Sequence, residues 1–539
     1  MSNMLPTVVQ IAHLNRRRRC PPHRNRPQRR VVASENYLYA LVMAEETAEH
    51  TSADSTAPDK IKEVKDVTDD FVIRQHTTGS GLKYTSTTGR LVLRREETKD
   101  GKSDGFKPKA EIFIVAYTKD TEPDDDGQGP HRPVTFAFNG GPGSASIWLH
   151  LGLLGPRRVD SGDTGAMTPA PFGLVDNPET LLEHSDLVMI DPVNTGFSRV
   201  VEGEKSDEFH AFIEDRDLVA EVIRLWTTRN NRWLSPKYLV GESYGTLRAV
   251  AAAGRLFDAY GMAVNGLGLI STVLNMSTLR FFPGSDLPYA LHIPTYAAIA
   301  HFHGRHPGKE LADVVNEAEA FAARDYGYAL TQGSRLTAEE YDDVVARLSA
   351  ITTLDESFIR RTNLRWQYGE FAAELLRAEG LAVGRIDGRF TAQPASLQDS
   401  AMTDDPSIRA ITGPYAAAMN YYVRAELGYE NDLPYEVLTA RVHPWSYKTF
   451  EGAPVDVSHT LERLLVHNPS LRVHVDYGYQ DGATPHFAAE YVFAHMNLTD
   501  QMKARFTHHY HEAGHMMYLK PECRLAQLEA LKNFVTPAG

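Results

Sequence analysis

Five consecutive residues, Gly241-Glu242-Ser243-Tyr244-Gly245, constrain this chain more than any other stretch. They follow the apolar run Lys237–Val240 and precede a helical pattern over Thr246–Ala259. A serine set between glycines at a strand-to-helix junction needs a turn so tight that side chains beside it would collide. Such a turn lifts the Ser243 hydroxyl above the sheet, and the N-terminus of the next helix favours negative charge beside it. The junction requires a buried strand feeding a helix, which points to an α/β sheet.

The rest of the chain supplies matching parts. Pro133–Phe138 and Leu187–Ile190 are short apolar runs suited to central strands buried on both faces. Leu82–Arg95 and Glu111–Thr118 alternate like antiparallel strands, with the loop Lys119–His131, including Asp124, Asp125 and Asp126, after the second. Asp215–Arg229 is helical in pattern. From about Asn275 to Arg441 no convincing buried strand appears. Thr337-Ala338-Glu339-Glu340 is a capping box opening a helix toward Ala350, and Asn363–Glu379 is a further helical stretch. The last hundred residues return to α/β, with helix Asp456–His467, strand Leu471–Asp476, helix Pro485–His495 and strand Phe506–His511. The expected division is a poorly ordered basic and polar extension over 1–75, a core over 76–275 and 441–539, and a helical cap over 276–440.

Composition excludes several function classes. With 42% hydrophobic and 23% charged residues in 539, wholesale disorder is ruled out. Net charge is −14, although the first 42 residues hold eight arginines (Arg16, Arg17, Arg18, Arg19, Arg24, Arg26, Arg29, Arg30) against Glu35. The body is therefore strongly acidic, which argues against nucleic acid as its main partner. The basic head reads as an upstream extension outside the fold, a targeting arm or a nucleic-acid tail. No apolar run approaches the length of a membrane span, and no apolar stretch follows the arginines as a secretory signal would require. A cytoplasmic location is expected, with export as the alternative. Two cysteines, Cys20 and Cys523, cannot build a disulfide framework, a zinc ribbon or an iron–sulfur site.

Asn139-Gly140-Gly141-Pro142-Gly143-Ser144 closes the apolar strand before it. A Gly-Gly step lets backbone N–H groups approach a ligand, and an oxyanion hole needs two such donors; Gly141 and Tyr244 are the natural pair. No Lys-Ser/Thr follows that would make this loop a P-loop. A serine nucleophile needs a basic imidazole, and the imidazole an orienting carboxylate, in the chain order Ser, acid, His. Asp481, in the loop entering a helix, and His515, in Gly514-His515-Met516, fit that order. Asp476, at a strand end, is the competing acid.

Together these residues resemble the serine carboxypeptidases of peptidase family S10, whose hallmarks are Asn-Gly-Gly-Pro-Gly, Gly-Glu-Ser-Tyr-Gly, a G-x-x-D turn and a late Gly-His-Met. All four are present here in order. Asp191-Pro192-Val193-Asn194-Thr195-Gly196-Phe197-Ser198 also looks like a family motif, with Asp191 directly before Pro192 and Asn194 in place of a glycine. The resemblance covers roughly 80–275 and 440–539. It implies an α/β-hydrolase fold with a mixed, mostly parallel sheet and a helical cap. It also implies a cofactor-independent carboxypeptidase acting on peptides with a free C-terminus. Ser243, Asp481 and His515 are then catalytic and Gly141 and Tyr244 the oxyanion donors, while Asn139 and Glu242 bind the substrate carboxylate. Two carboxyl groups a hydrogen bond apart cannot both stay ionised, so Glu242 must bind protonated and the site should weaken as pH rises.

Three departures resemble the bacterial branch of the family. Leu153 stands where many members carry a second glutamate, so the upward push on the Glu242 pKa is expected to be smaller. Ala137 replaces an aromatic residue, and Ser144 a disulfide cysteine. Two rival chemistries use the same residues. An acyltransferase or esterase would use the same triad, because the fold does not fix the acceptor. His511-Glu512-Ala513-Gly514-His515 satisfies the zinc-protease pattern H-E-x-x-H, which requires a helix, whereas Phe506, His508 and Tyr510 alternate as a strand does.

Overall fold

The structure, a computed structural model, describes residues 64–120, 131–160 and 169–536. The arginine-rich head, Cys20 and the Asp124–Asp126 run lie outside the described residues. The sheet extends upstream of the expected border at residue 76. Asp69 accepts from the Val92 N–H at 2.8 Å and Asp70 from the Arg90 side chain at 2.9 Å. These contacts tie the approach to β1 (Val72–Thr77) onto the next strand. β1, β2 (Lys83–Lys99) and β3 (Lys102–Lys119) form an antiparallel meander.

The apolar runs become β4 (Val134–Phe138), β5 (Asp186–Ile190) and β6 (Lys237–Glu242), each buried along its whole length. β7 (Gly266–Ile270) joins them, followed after the insertion by β8 (Arg472–Gly478) and β9 (Phe506–His511). The sheet order is β1-β2-β3-β5-β4-β6-β7-β8-β9, with Arg199–Val200 paired to β3. β3 meets β5 antiparallel; from β5 through β9 every neighbour is parallel. A mixed, mostly parallel sheet in this order is the α/β-hydrolase fold.

Helices cover both faces, as a sheet buried on both sides demands. α1 (Phe212–Arg229) and α2 (Tyr244–Tyr260) share one apolar cluster with the inner face of the sheet. The insertion contributes α3 (Leu287–Phe302), α4 (Leu311–Phe321), α5 (Ala338–Thr352) and α6 (Tyr368–Glu374), which bury a cluster of their own around Tyr296, Trp366 and Phe371. Thr337 and Glu340 cap α5 reciprocally. The later part of the insertion behaves differently. α7 (Pro406–Tyr421) packs Ile411, Tyr415 and Met419 into the second sheet cluster. The insertion also holds a two-residue ladder, Ala382–Val383 with Thr391–Ala392. α8 (Ser458–His467), α9 (His486–His495) and α10 (Pro521–Val535) complete the layers. Among the described residues no helix is long and apolar enough to cross a membrane.

Candidate active site

Ser243 sits where β6 ends and α2 begins, with φ 62° and ψ −131°. A non-glycine residue held there stores about 1–3 kcal/mol of strain, which the surrounding structure must impose. The imposed closeness is visible at its neighbours. A Cβ on Gly241 would lie 2.1 Å from the Gly245 carbonyl oxygen, and one on Gly140 would lie 2.5 Å from the Tyr244 nitrogen. The Gly140-Gly141 step therefore abuts the backbone that follows Ser243. Gly141 itself has φ +103°. The N–H groups of Gly141 and Tyr244 donate to no acceptor among the described residues. Two unengaged donors beside a strained serine can stabilise an oxyanion.

Asp481 and His515 meet directly: the His515 Nδ1–H donates to Asp481 Oδ2 at 2.7 Å, with both side chains buried. Asp481 Oδ1 accepts from the Ala483 and Thr484 amides at 2.8 and 2.9 Å, and Oδ2 also accepts from the Thr484 hydroxyl at 2.7 Å. Burial alone would raise this carboxyl, but the imidazole and these donors hold it below the usual carboxylate range. His515 loses basicity through burial and more than regains it from Asp481, so its pKa is raised. The end of strand β7 and the residue after it link the backbone of His515 to that of Ser243. The Ile270 carbonyl accepts from the Ser243 N–H at 3.0 Å, and the Ser271 hydroxyl donates to the His515 carbonyl at 2.6 Å. The Ser243 hydroxyl itself does not hydrogen-bond His515 among the described residues. Such contacts tighten when substrate fills the site.

Asp476, the competing acid, is engaged elsewhere: it accepts from His474 at 2.9 Å and from His511 at 2.8 Å. The strand β9 ends at His511, and His515 follows in a turn, so no helix presents the two imidazoles on one face. The H-E-x-x-H zinc reading is corrected on this ground, because strand geometry sends the two side chains to separate carboxylates.

Beside Ser243, Glu242 accepts from the Asn139 side-chain amide at 2.8 Å and from the Tyr518 hydroxyl at 2.7 Å. Burial lifts the Glu242 carboxyl to about 7; His515 and the Tyr518 and Asn139 hydrogen bonds restrain the rise, and Asp481 adds to it. The expected loss of upward push at Leu153 is thus offset by full desolvation. Leu153 is itself a core residue, and a phenol rather than a second carboxyl contacts Glu242. Tyr518 carried no motif, and sequence reasoning missed it. At the other departures, Asn194 adopts φ 62°, which asparagine tolerates in place of glycine. Ser144 accepts from the Trp148 indole at 2.9 Å.

Sequence reasoning also missed a buried ion pair, Arg248 to Asp215 at 2.8 Å, whose Arg248 side chain additionally donates to the Asn139 carbonyl. It fixes the loop that begins at Asn139 to α1 and α2. Arg248→Met is expected to destabilise the protein by about 3–5 kcal/mol, because Asp215 is left charged and buried. The drop would appear as a lower urea midpoint; a change under about 1 kcal/mol would show the pair to be well solvated.

The family model described as serine carboxypeptidase matches residues 116–256, which include the Gly-Gly loop and the Ser243 turn. No curated protein matches the sequence. Among solved structures, the chain is similar to the peroxisomal alpha-beta-hydrolase Lpx1 of Saccharomyces cerevisiae, at TM-score 0.34 and 10% identity over 85% of this chain and 90% of that one. A thermostable carboxyl esterase from Bacillus coagulans is similar at TM-score 0.33 and 11% identity, over 83% of this chain and 97% of that one. A putative epoxide hydrolase from Pseudomonas aeruginosa is similar at TM-score 0.30 and 12% identity, over 83% and 98%. The chain is a serine hydrolase of the α/β-hydrolase type.

Proposed function

We propose that this serine hydrolase is a carboxypeptidase that removes the last residue of peptides with a free C-terminus. Ser243 Oγ attacks the scissile carbonyl while His515 Nε2 takes its proton, and the negative charge forms against the Gly141 and Tyr244 N–H groups. The proton then passes from His515 to the leaving amine, the C–N bond breaks, and an acyl group remains on Ser243. Water, deprotonated by His515, hydrolyses that ester. Asp481 holds the imidazole in the tautomer that leaves Nε2 basic. Asn139 and protonated Glu242 donate to the terminal carboxylate.

One observation carries the peptidase reading: a carboxyl, Glu242, buried next to the serine, paired with an amide and lifted to about 7. An esterase has no use for a desolvated acid there. The productive enzyme needs neutral His515 and neutral Glu242, so the pair shares one proton. At low pH a second proton lands on His515 and removes the base. As pH rises through about 7, Glu242 ionises and repels the substrate carboxylate.

The expected result is a bell-shaped kcat/KM for free peptides, falling about tenfold per pH unit on the alkaline side. C-terminally amidated peptides are expected to react more slowly near pH 6 and to lose the alkaline limb, since an ionised Glu242 accepts from an amide. Equal rates and equal profiles for free and amidated peptides would favour ester hydrolysis or acyl transfer instead.

A further inference from the structure

The segment Gly384–Phe390, which joins the two strands of the small ladder in the insertion, lies across both loops that carry the His515–Asp481 pair. The Gly482 N–H donates to the Arg385 carbonyl at 3.0 Å, and the His515 N–H to the Ile386 carbonyl at 2.7 Å. The Gly388 N–H donates to the Gln480 carbonyl at 2.9 Å. The segment is anchored from behind as well. Asp405 accepts from the Arg385 and Ile386 amides, and Asp387 is paired with Arg389 at 2.8 Å. Its backbone is therefore fixed by five hydrogen bonds that bracket Arg385.

The Arg385 side chain is the exception within this clamp. It is half-buried, yet its guanidinium has no hydrogen bond and no ion pair among the described residues. Nearby arginines of the insertion are all engaged: Arg365 with Asp286, Arg377 with Glu374, Arg389 with Asp387. Arg385 directly precedes the residue whose carbonyl accepts from the His515 N–H, and its charge works against protonation of His515 and His292. An unpaired guanidinium on a rigid backbone beside the reacting groups is pre-organised for a carboxylate, whose two oxygens match its planar fork.

We propose that Arg385 forms an anion subsite that selects substrates carrying an acidic side chain, aspartate or glutamate, next to the scissile bond. This subsite is separate from the Asn139–Glu242 pair, which takes the terminal carboxylate, and it rests on the hydrolase reading above. A charge-assisted pair at a partly desolvated position discriminates by about tenfold to a hundredfold.

The test compares kcat/KM for peptide pairs that differ only by Glu, Gln or Lys at each residue flanking the cleaved bond. A parallel ester pair, 4-nitrophenyl hemiglutarate against 4-nitrophenyl valerate, probes the acyl side without requiring peptidase activity. Wild type is expected to favour Glu over Gln and Lys at one flanking position. Arg385→Gln should reduce the Glu-to-Gln ratio at least tenfold, Arg385→Lys should restore part of it, and Arg385→Glu should invert the preference toward Lys. A merely structural role would lower all substrates alike and would not invert the order. Cleavage of the esters with an Arg385-dependent acidic preference, but of no peptide, would overturn the carboxypeptidase reading and keep the subsite. Unchanged ratios in all three variants, on peptides and esters, would overturn the subsite.

Discussion

Replacing Ser243 with alanine is expected to reduce kcat/KM by about 10⁵-fold to 10⁶-fold while leaving KM for peptides near its wild-type value. The reason is geometric. Ser243 is the residue held at φ 62° at the strand-to-helix turn, and the Gly140–Gly141 backbone abuts the turn within van der Waals distance. Removing one oxygen leaves the fold, the N–H pair and the Asn139–Glu242 contacts in place, so binding survives and covalent chemistry does not. The residual rate, about 10³-fold to 10⁴-fold over water, is what the oxyanion donors and binding supply without a nucleophile. The measurement pairs steady-state kinetics with labelling by a serine-directed phosphonate, detected on the intact protein by mass. Full activity, or a covalent adduct on the alanine variant, would remove Ser243 from the mechanism.

The second large effect belongs to Asp481. Asp481→Asn is expected to lower kcat by about 10⁴-fold without unfolding the protein. Oδ1 of this carboxylate is fixed by two backbone amides, from Ala483 and Thr484. The asparagine oxygen must occupy that position, which turns its NH₂ toward His515. An amide donor there forces Nδ1 to accept, so the ring proton moves to Nε2, the atom that must take the proton from Ser243. The variant should therefore fold normally and carry an imidazole in the wrong tautomer. Nitrogen-15 NMR of His515 would show the tautomer change directly. Asp476→Asn is the control, since Asp476 serves His474 and His511. An equal loss of kcat in both variants would show that Asp481 is not specifically the orienting acid.

Much of this arrangement was legible in one dimension because the chemistry is local there. The Ser243 turn, the Gly-Gly loop and the His511 strand end depend on neighbours within a few residues, and glycine spacing reports them. Two elements were not legible. β7 is Gly266-Leu267-Gly268-Leu269-Ile270, and its glycines break the apolar pattern that marks a strand. The reason lies far along the chain: a Cβ on Gly266 would lie 2.4 Å from the Phe534 ring of α10, which packs against that strand. Tyr518 and Arg248 were hidden for the same reason, since each acquires its role from a partner more than a hundred residues away, Glu242 and Asn139 respectively.

The sequence by itself determined the fold class, the strand-to-helix serine turn and the order in which Ser243, Asp481 and His515 occur. Only the tertiary structure decided which aspartate meets His515, what raises Glu242, and that the Arg385 guanidinium, among the described residues, forms no hydrogen bond or ion pair. Short-range backbone sterics are written into adjacent residue types. Burial and hydrogen-bond pairing, in contrast, depend on segments hundreds of residues apart being brought into contact, and no local pattern encodes which ones meet.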